Sequence, residues 1–263
     1  MDLQLNGKRA LVTGSSRGLG YAVARSLALE GCKVAINGRN AQSIREAAQK
    51  LLAETNAEIL PITGDVGQPD VPALLVEKTT QAFGGLDLLV TNAGGPPSGK
   101  FEGFDDFTWQ NAVELSLLSH VRLIREALPY LRQSDCASVV TMTSYSIKQP
   151  IPNLVLSNSI RAATVGLTKS LSQELGQDGI RFNSILPGWT MTERVQELMS
   201  YRAKNNNTSV DDEVTRLTSE TALGRMARPE EVANAVLFLL SPVASYITGV
   251  MLTVDGGIYK GTL

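Results

Sequence analysis

Seven short, continuously apolar runs, at 8–13, 33–37, 58–63, 86–91, 137–143, 180–186 and 250–254, constrain the fold more than any other feature of the sequence. Longer stretches with helical spacing lie between them, at 18–30, 41–55, 70–83, 105–131, 153–176 and 229–240. A strand with one face in water alternates apolar and polar residues, whereas a strand covered on both faces reads as an unbroken apolar run. Runs of the second kind, alternating with helices, predict parallel strands joined by right-handed helical crossovers. The pattern predicts an α/β protein: a single doubly wound domain, 1–263, with a seven-stranded parallel sheet and helices on both faces. An eightfold barrel would need one more βα unit, and its phosphate loops would come late in the chain, not at residue 13. No repeat, low-complexity linker or shift of composition marks a domain boundary.

The first strand–helix junction carries chemistry. Thr13-Gly14-Ser15-Ser16-Arg17-Gly18-Leu19-Gly20 follows the apolar run Ala10-Leu11-Val12 and opens a stretch with helical spacing at Leu19, Ala22, Val23 and Leu27. Glycines let the backbone turn tightly and approach a pyrophosphate closely. The first N–H groups of the helix have no intrahelical partner and point at that anion. The spacing is G-x-x-x-G-x-G, not the commoner G-x-G-x-x-G.

Composition excludes several classes of function. Charged residues make up 19% and hydrophobic residues 43%, and the formal net charge is −2. There is no basic excess to draw in nucleic acid and no charge block for a membrane surface. Cys32 and Cys136 read as reduced core residues. With His120 as the single histidine, no His/Cys metal site can be assembled, and no metal is expected. Residues 1–8 lack the apolar segment of a signal peptide, and no run approaches the ~18 apolar residues of a membrane span, so a cytoplasmic location is expected.

In a doubly wound sheet, ligands bind outside the carboxyl ends of the strands. The segments there are Thr13 to Gly20, Asn37-Gly38-Arg39, Asp65-Val66, Asn92-Ala93-Gly94, Thr143-Ser144-Tyr145 and Pro187-Gly188. Together with Pro187-Gly188-Trp189-Thr190-Met191-Thr192, Gly224-Arg225-Met226-Ala227-Arg228-Pro229 and Asp255-Gly256-Gly257, this set resembles the short-chain dehydrogenase/reductase family over essentially the whole chain. The C-terminal segments are similar to its 3-oxoacyl-carrier-protein-reductase-like branch. The resemblance implies a Rossmann-type NAD(P) site. In it, Gly14, Ser15, Ser16, Arg17, Gly18, Leu19 and Gly20 form the phosphate turn, Asp65 and Val66 the adenine site, and Asn92, Ala93 and Gly94 a cofactor-lining loop. Nicotinamide contacts are implied for Pro187, Gly188, Thr190 and Thr192. The implied reaction interconverts a small-molecule carbonyl and alcohol by hydride transfer. A homodimer or homotetramer through helices 105–131 and 153–176 is also implied, and 192–221 resembles a substrate lid that Asn205-Asn206-Asn207 breaks into two short helices.

An acid after the second strand would accept from a ribose 2′-hydroxyl. Here Asn37-Gly38-Arg39 stands instead, and Arg17 sits in the glycine turn. Two guanidinium groups suit a 2′-phosphate, so NADP(H) is expected over NAD(H).

The resemblance fails where the chemistry should be. The family places an Asn after the fourth strand, a Ser after the fifth, and Y-x-x-x-K on the next helix. Ser144 matches the serine. In the register fixed by Val165-Gly166-Leu167-Thr168-Lys169, Ser157 takes the Tyr position and Arg161 the Lys position; Ser116 takes the Asn position. A serine hydroxyl is a far weaker acid than a phenol, and arginine keeps its charge and cannot relay a proton. Three readings remain open. Tyr145, next to Ser144, supplies the phenol while Arg161 holds the ribose. Alternatively, Ser144 and Ser157 orient a water that gives the proton. Or the chain is a dinucleotide-binding homologue with little or no catalytic activity, a regulator or structural partner. His120, among Leu117, Leu118, Val121 and Leu123, reads as packed rather than catalytic, and Trp189 as a pocket or sheet-edge aromatic.

Overall fold

The computed structural model describes residues 2–262, apart from the side chains of Arg194 and Tyr201; Met1 and Leu263, the ends of the expected domain, lie outside the described residues. The strands are β1 Arg9–Val12, β2 Lys33–Gly38, β3 Ile59–Thr63, β4 Leu88–Thr91, β5 Ser138–Met142, β6 Arg181–Pro187 and β7 Met251–Val254. They form one parallel sheet in the order β3-β2-β1-β4-β5-β6-β7. The helices are α1 Gly18–Leu29, α2 Ala41–Thr55, α3 Val71–Phe83, α4 Asp106–Val113, α5 Ser119–Leu131, α6 Val155–Glu174, α7 Glu193–Asn206, α8 Val210–Thr218 and α9 Pro229–Leu240.

The unbroken apolar runs follow from burial on both faces. Along β1, Ala10 and Val12 face the layer of α1, α2 and α9, where Val23, Leu27, Ile44, Leu51, Val236 and Leu240 pack. Leu11, between them, faces the opposite layer, with Leu75, Leu123, Ile124 and Phe182. A side chain such as Leu11, fully removed from water, contributes about 1.5–3 kcal/mol, and both neighbours on the strand do the same work on the other side.

β1 and β4 are neighbours, with Leu11 opposite Leu89. From β1 the chain winds outward to β2 and β3; from β4 it winds the other way to β5, β6 and β7. The loops after β1 and β4 therefore leave in opposite directions and open a crevice between them.

Most strand and helix ends lie one or two residues from the sequence reading, and the helical stretches 105–131 and 153–176 differ for identifiable reasons. The stretch 105–131 is not one helix: a π-helical turn, Glu114–Leu118, separates α4 from α5. Thr164 Oγ1 on α6 donates to the Ser116 carbonyl at 2.6 Å, an outside group entering the helical ladder. The stretch 153–176 becomes helical only at Val155, because Asn153 holds a left-handed backbone at φ 62°. The seventh strand starts at Met251, one residue late. The break within 192–221 is present: α7 ends at Asn206, Asn207 has φ 52°, and Ser209 and Asp212 form a reciprocal cap that starts α8.

Candidate active site

A cavity of about 440 Å³ opens over the carboxyl ends of the strands at the β1/β4 crevice. Its floor at one end is the glycine turn. Gly14 and Gly18 have φ of 57° and 61°, and a methyl group on Gly20 would collide with the Gly14 carbonyl oxygen. These positions admit only glycine without distortion. Among the described residues no side chain caps α1, whose first turn holds no acid. Its free N–H groups and its positive end face the cavity, which favours an anion.

Two asparagines, Asn37 buried and Asn92 half-buried, fix this end. Asn92 Nδ2 donates to the carbonyls of Thr13 and Gly14 at 3.2 and 3.0 Å, and Thr13 Oγ1 donates to the Asn92 carbonyl at 2.7 Å. The crevice is thereby stitched shut below the cavity. Asn37 Oδ1 accepts from Gly14 N at 3.3 Å, while its Nδ2 donates to Ile62 and Gly64 carbonyls at 3.2 and 3.0 Å. One carboxamide thus ties together the ends of β1, β2 and β3.

Of the expected phosphate-turn residues, Gly14, Ser16, Arg17, Gly18, Leu19 and Gly20 line the cavity. Ser15 does not: its side chain turns into the fold, donating to the Val12 carbonyl at 2.7 Å and accepting from Asn37 N at 2.9 Å. A hydroxyl with no exposed surface serves the turn's shape, not a ligand. Arg17 and Arg39 are exposed at the same end, and Arg17 lies 3.5 Å from Glu197 of α7. Asp65, Val66, Asn92, Ala93 and Gly94 line the middle of the cavity. Asp65 Oδ1 also accepts from Gly67 N at 3.0 Å, an Asx turn that orients the carboxylate. Pro187, Gly188, Thr190 and Thr192 form the far wall. Gly188 is pressed against Asp255, where a Cβ would come within 2.6 Å of its Cα.

Ser144, Ser157 and Arg161 lie at the other end, on β5's exit and on α6. Ser144 has extended backbone, and its Oγ accepts from Ser146 N at 3.1 Å. Ser157 and Arg161 share a helix face one turn apart. Arg161 Nε donates to Ser157 Oγ at 3.2 Å, and Nη1 donates to the carbonyls of Met142 and Thr143 at 3.2 and 3.3 Å. The guanidinium bridges α6 to the end of β5 and brings Ser157 toward Ser144.

Tyr145 lines the cavity but is buried, at 6% exposure, not a rim residue. Burial pushes its phenol above the ordinary value; the Trp189 indole and the Arg202 charge pull it down, and Glu220 and Asp255 push it up. His120 is buried, with Nδ1 2.7 Å from Thr91 Oγ1. Burial, reinforced by the Arg161 charge, depresses it to about 3, so it stays neutral at working pH. Ser116 Oγ is buried in the π-helical turn with no hydrogen-bond partner among the described residues.

Sequence reasoning missed the role of Asn37 as a clamp, although a carboxamide ending an apolar run was the available signal. It also missed Leu115, Met142, Ile151 and Leu154 in the lining; 148–154 is irregular, so no periodicity pointed to it. Among the described residues no three His, Cys, Asp or Glu come together as a metal site, and no helix is long and apolar enough to cross a membrane.

A seven-stranded parallel sheet with a glycine cradle at its switch point defines a Rossmann-like α/β domain. A family profile described as enoyl-(acyl carrier protein) reductase matches residues 14–259. The chain is 31% identical to the 3-oxoacyl-[acyl-carrier-protein] reductase FabG of Chlamydia muridarum over 98% of this chain and 100% of that protein. L-sorbose reductase from Gluconobacter frateurii, solved with NADPH and L-sorbose, superposes with a TM-score of 0.96 at 32% identity, covering 99% of this chain and 100% of that one. A short chain oxidoreductase from Pseudomonas aeruginosa PAO1, solved with NADPH and described as containing an atypical catalytic center, gives 0.89 at 28% identity over 98% and 100% of the chains. The chain belongs to the short-chain dehydrogenase/reductase family, a family of oxidoreductases.

Proposed function

We propose that this protein is an NADP(H)-dependent oxidoreductase that interconverts a small carbonyl compound and its secondary alcohol, with 3-oxoacyl-thioester-like compounds as the first substrates to test. One observation carries the reading: Ser144, Ser157 and Arg161 line the same cavity as the glycine cradle. The cradle fits a dinucleotide, since its tight turn is one that Cβ atoms at Gly14 and Gly20 would distort, and the start of α1, with no side-chain cap, lines the cavity. Arg17 and Arg39 hold the 2′-phosphate side, Asp65 and Val66 the adenine, and the stretch from Pro187 to Thr192 the nicotinamide. The NADPH in the sorbose reductase and Pseudomonas structures supports this choice. When bound, the cofactor supplies or accepts the hydride.

Ser157 and Arg161 stand at the positions where family members carry Tyr and Lys, so the proton needs another route. Ser157 Oγ accepts from Arg161 Nε, which leaves its own O–H to donate into the cavity. Ser144 Oγ likewise accepts from Ser146 N and has its O–H to give. Two hydroxyl donors aimed at one carbonyl oxygen stabilise the negative charge that grows on it as hydride arrives. A water held between them delivers the proton, and bulk solvent at the open mouth of the cavity reprotonates the hydroxide left behind. Tyr145 is a poorer source, because burial makes its phenol a weaker acid. The atypical centre named for the Pseudomonas protein supports departures of this kind within the family.

A second reading, a dinucleotide-binding homologue with little activity, is favoured by the same raised phenol: burial takes Tyr145 further from neutral pH. NADPH titration beside NADPH oxidation on a panel of ketones and 3-oxoacyl thioesters separates the two. Turnover supports the oxidoreductase. Tight binding with no turnover across the panel overturns it. The protein acts in the cytoplasm, without nucleic-acid or membrane partners, as a homodimer or homotetramer through α4, α5 and α6. Part of that helical face, including Val121 and Leu117, is only half-buried in the single chain. The segment 192–221 serves as the substrate lid. Light scattering showing a monomer at micromolar concentration would overturn the oligomer.

A further inference from the structure

The charged side chains of the cavity are unevenly placed. Arg17, Arg39, Asp65 and Glu193 belong to the glycine-cradle side and its neighbours, and Arg161 is tied to Ser157 and two carbonyls. The remaining wall beyond Ser144 and Ser157 is Tyr145, Ile151, Leu154, Trp189 and Val195, without a formal charge. Trp189 is the largest of these, and its backbone is held from three sides. Gly188 N donates to the Val254 carbonyl at 2.9 Å just before it. Its own carbonyl accepts from Ala227 N at 2.9 Å, and Met191 N donates to the Ala227 carbonyl at 2.8 Å just after it. The indole therefore stands on a rigid base. From α7, the Arg202 guanidinium lies over the ring, 5.6 Å from its centroid. That arrangement is a cation–π contact between the segment 192–221 and the loop that follows β6.

We propose that Trp189 is the specificity-determining residue of the site: its indole is the end wall of the substrate space and restricts the group on the closed side of the carbonyl to a compact, uncharged one, with Arg202 as its positioning residue. The inference rests on the carbonyl/alcohol reading above. A carboxylate or phosphate placed against Tyr145, Ile151, Leu154 and Trp189 would be desolvated without a partner. A longer alkyl chain would meet an indole set on a held backbone and engaged by the Tyr145 hydroxyl and the Arg202 guanidinium. Of the cations near this wall, Arg161 is held by Ser157 and two carbonyls, and Arg202 lies against the indole ring.

The test uses the full chain with NADPH and 2-alkanones of increasing length, beside keto acids of matched size. For the wild type, kcat/KM falls sharply beyond a short chain, and the keto acids are poor throughout. Trp189→Ala moves the cut-off to longer chains, with at least a tenfold gain for the long ketones, while Trp189→Phe falls between. Arg202→Met blurs the cut-off through KM and leaves the NADPH Kd unchanged. A length profile in Trp189→Ala equal to that of the wild type overturns the proposal. NADPH titration of Trp189→Phe verifies an intact site should Trp189→Ala fail to fold. If no ketone is turned over by the wild type, the oxidoreductase reading fails, and the wall is judged by binding. In Trp109→Phe protein, where Trp189 is the sole tryptophan, short ketones shield the indole from acrylamide in the presence of NADPH and long ones do not. Absence of shielding by any of them overturns the wall as well.

Discussion

The two ends of the cavity are built from different materials. The nucleotide end is backbone: glycines, the bare N–H groups of α1, and two carboxamides that hold loops in place. The chemical end is side chains: Ser144, Ser157, Arg161, Tyr145 and Trp189. A backbone site tolerates almost no change in the residues that shape it, since a methyl group on Gly14 or Gly20 collides with the neighbouring backbone. A side-chain site keeps its position while its groups are exchanged, because β5 and α6 stay where the sheet puts them. On the proposed reading, this contrast lets the cradle keep its glycines while the groups at Ser157 and Arg161 are exchanged.

The sharpest way to break the contrast is to add a single methyl group to the cradle. Gly20→Ala keeps the helix, which alanine favours, but forces the new Cβ against the Gly14 carbonyl. Overpacking of about 1–3 kcal/mol, expressed in binding, weakens NADPH about 10- to 100-fold by fluorescence titration. Asn37→Leu comes next. It keeps the size but leaves Gly14 N and the carbonyls of Ile62 and Gly64 without the side-chain partners they now have. Stranded buried groups cost about 1–3 kcal/mol each where water does not replace the partner, so urea melts show a loss of roughly 2–4 kcal/mol. An unchanged midpoint would remove Asn37 from the argument. Arg39→Ala together with Arg17→Ala raises the NADPH Kd about tenfold or more, as charge-assisted contacts of about 1.5–3 kcal/mol imply, and leaves the NADH Kd alone. Equal losses for both cofactors would show that the arginines do not read the 2′-phosphate.

His120 gives a smaller effect, on stability alone. Its folded value, about 3, lies below the ordinary 6.5, so between these the unfolded chain binds the proton and the folded chain does not. Stability is intact above about pH 6.5 and falls as the pH drops toward 3, by up to about 1.4 kcal/mol per unit. His120→Gln flattens that part of the slope in urea melts taken from pH 7 to pH 5. The smallest effect expected is from Tyr145→Phe, which leaves turnover and its pH profile unchanged if the proton comes through a serine-held water. A large loss of kcat would return the phenol to the mechanism.

The fold was legible because burial on both faces writes itself into the letters. The central strands β1, β2 and β4 were marked by apolar runs, and the cradle by its glycines; β6 carries Arg181, Asn183 and Ser184, and the edge strands β3 and β7 are only part-buried. The π-helical turn was not legible, since its cause is Thr164, which lies about fifty residues away in sequence and is buried against the Ser116 carbonyl. Nor was the inward turn of Ser15, whose partner Asn37 lies on another strand. The cut of the chemical end was legible only as a departure. Ser157 and Arg161 could be seen to be different, but the guanidinium's grip on Met142 and Thr143 depends on how α6 lies on β5.

The carboxamide of Asn37 has a consequence for how the protein comes into being. It joins Gly14 to Ile62 and Gly64, groups about fifty residues apart. Contacts of that separation form only after the intervening loops have closed. The anion cradle is therefore not a property of the glycine-rich peptide, which on its own would be a limp loop. It is finished when the third strand arrives, and a chain interrupted before that point would carry the signature of the site without the site.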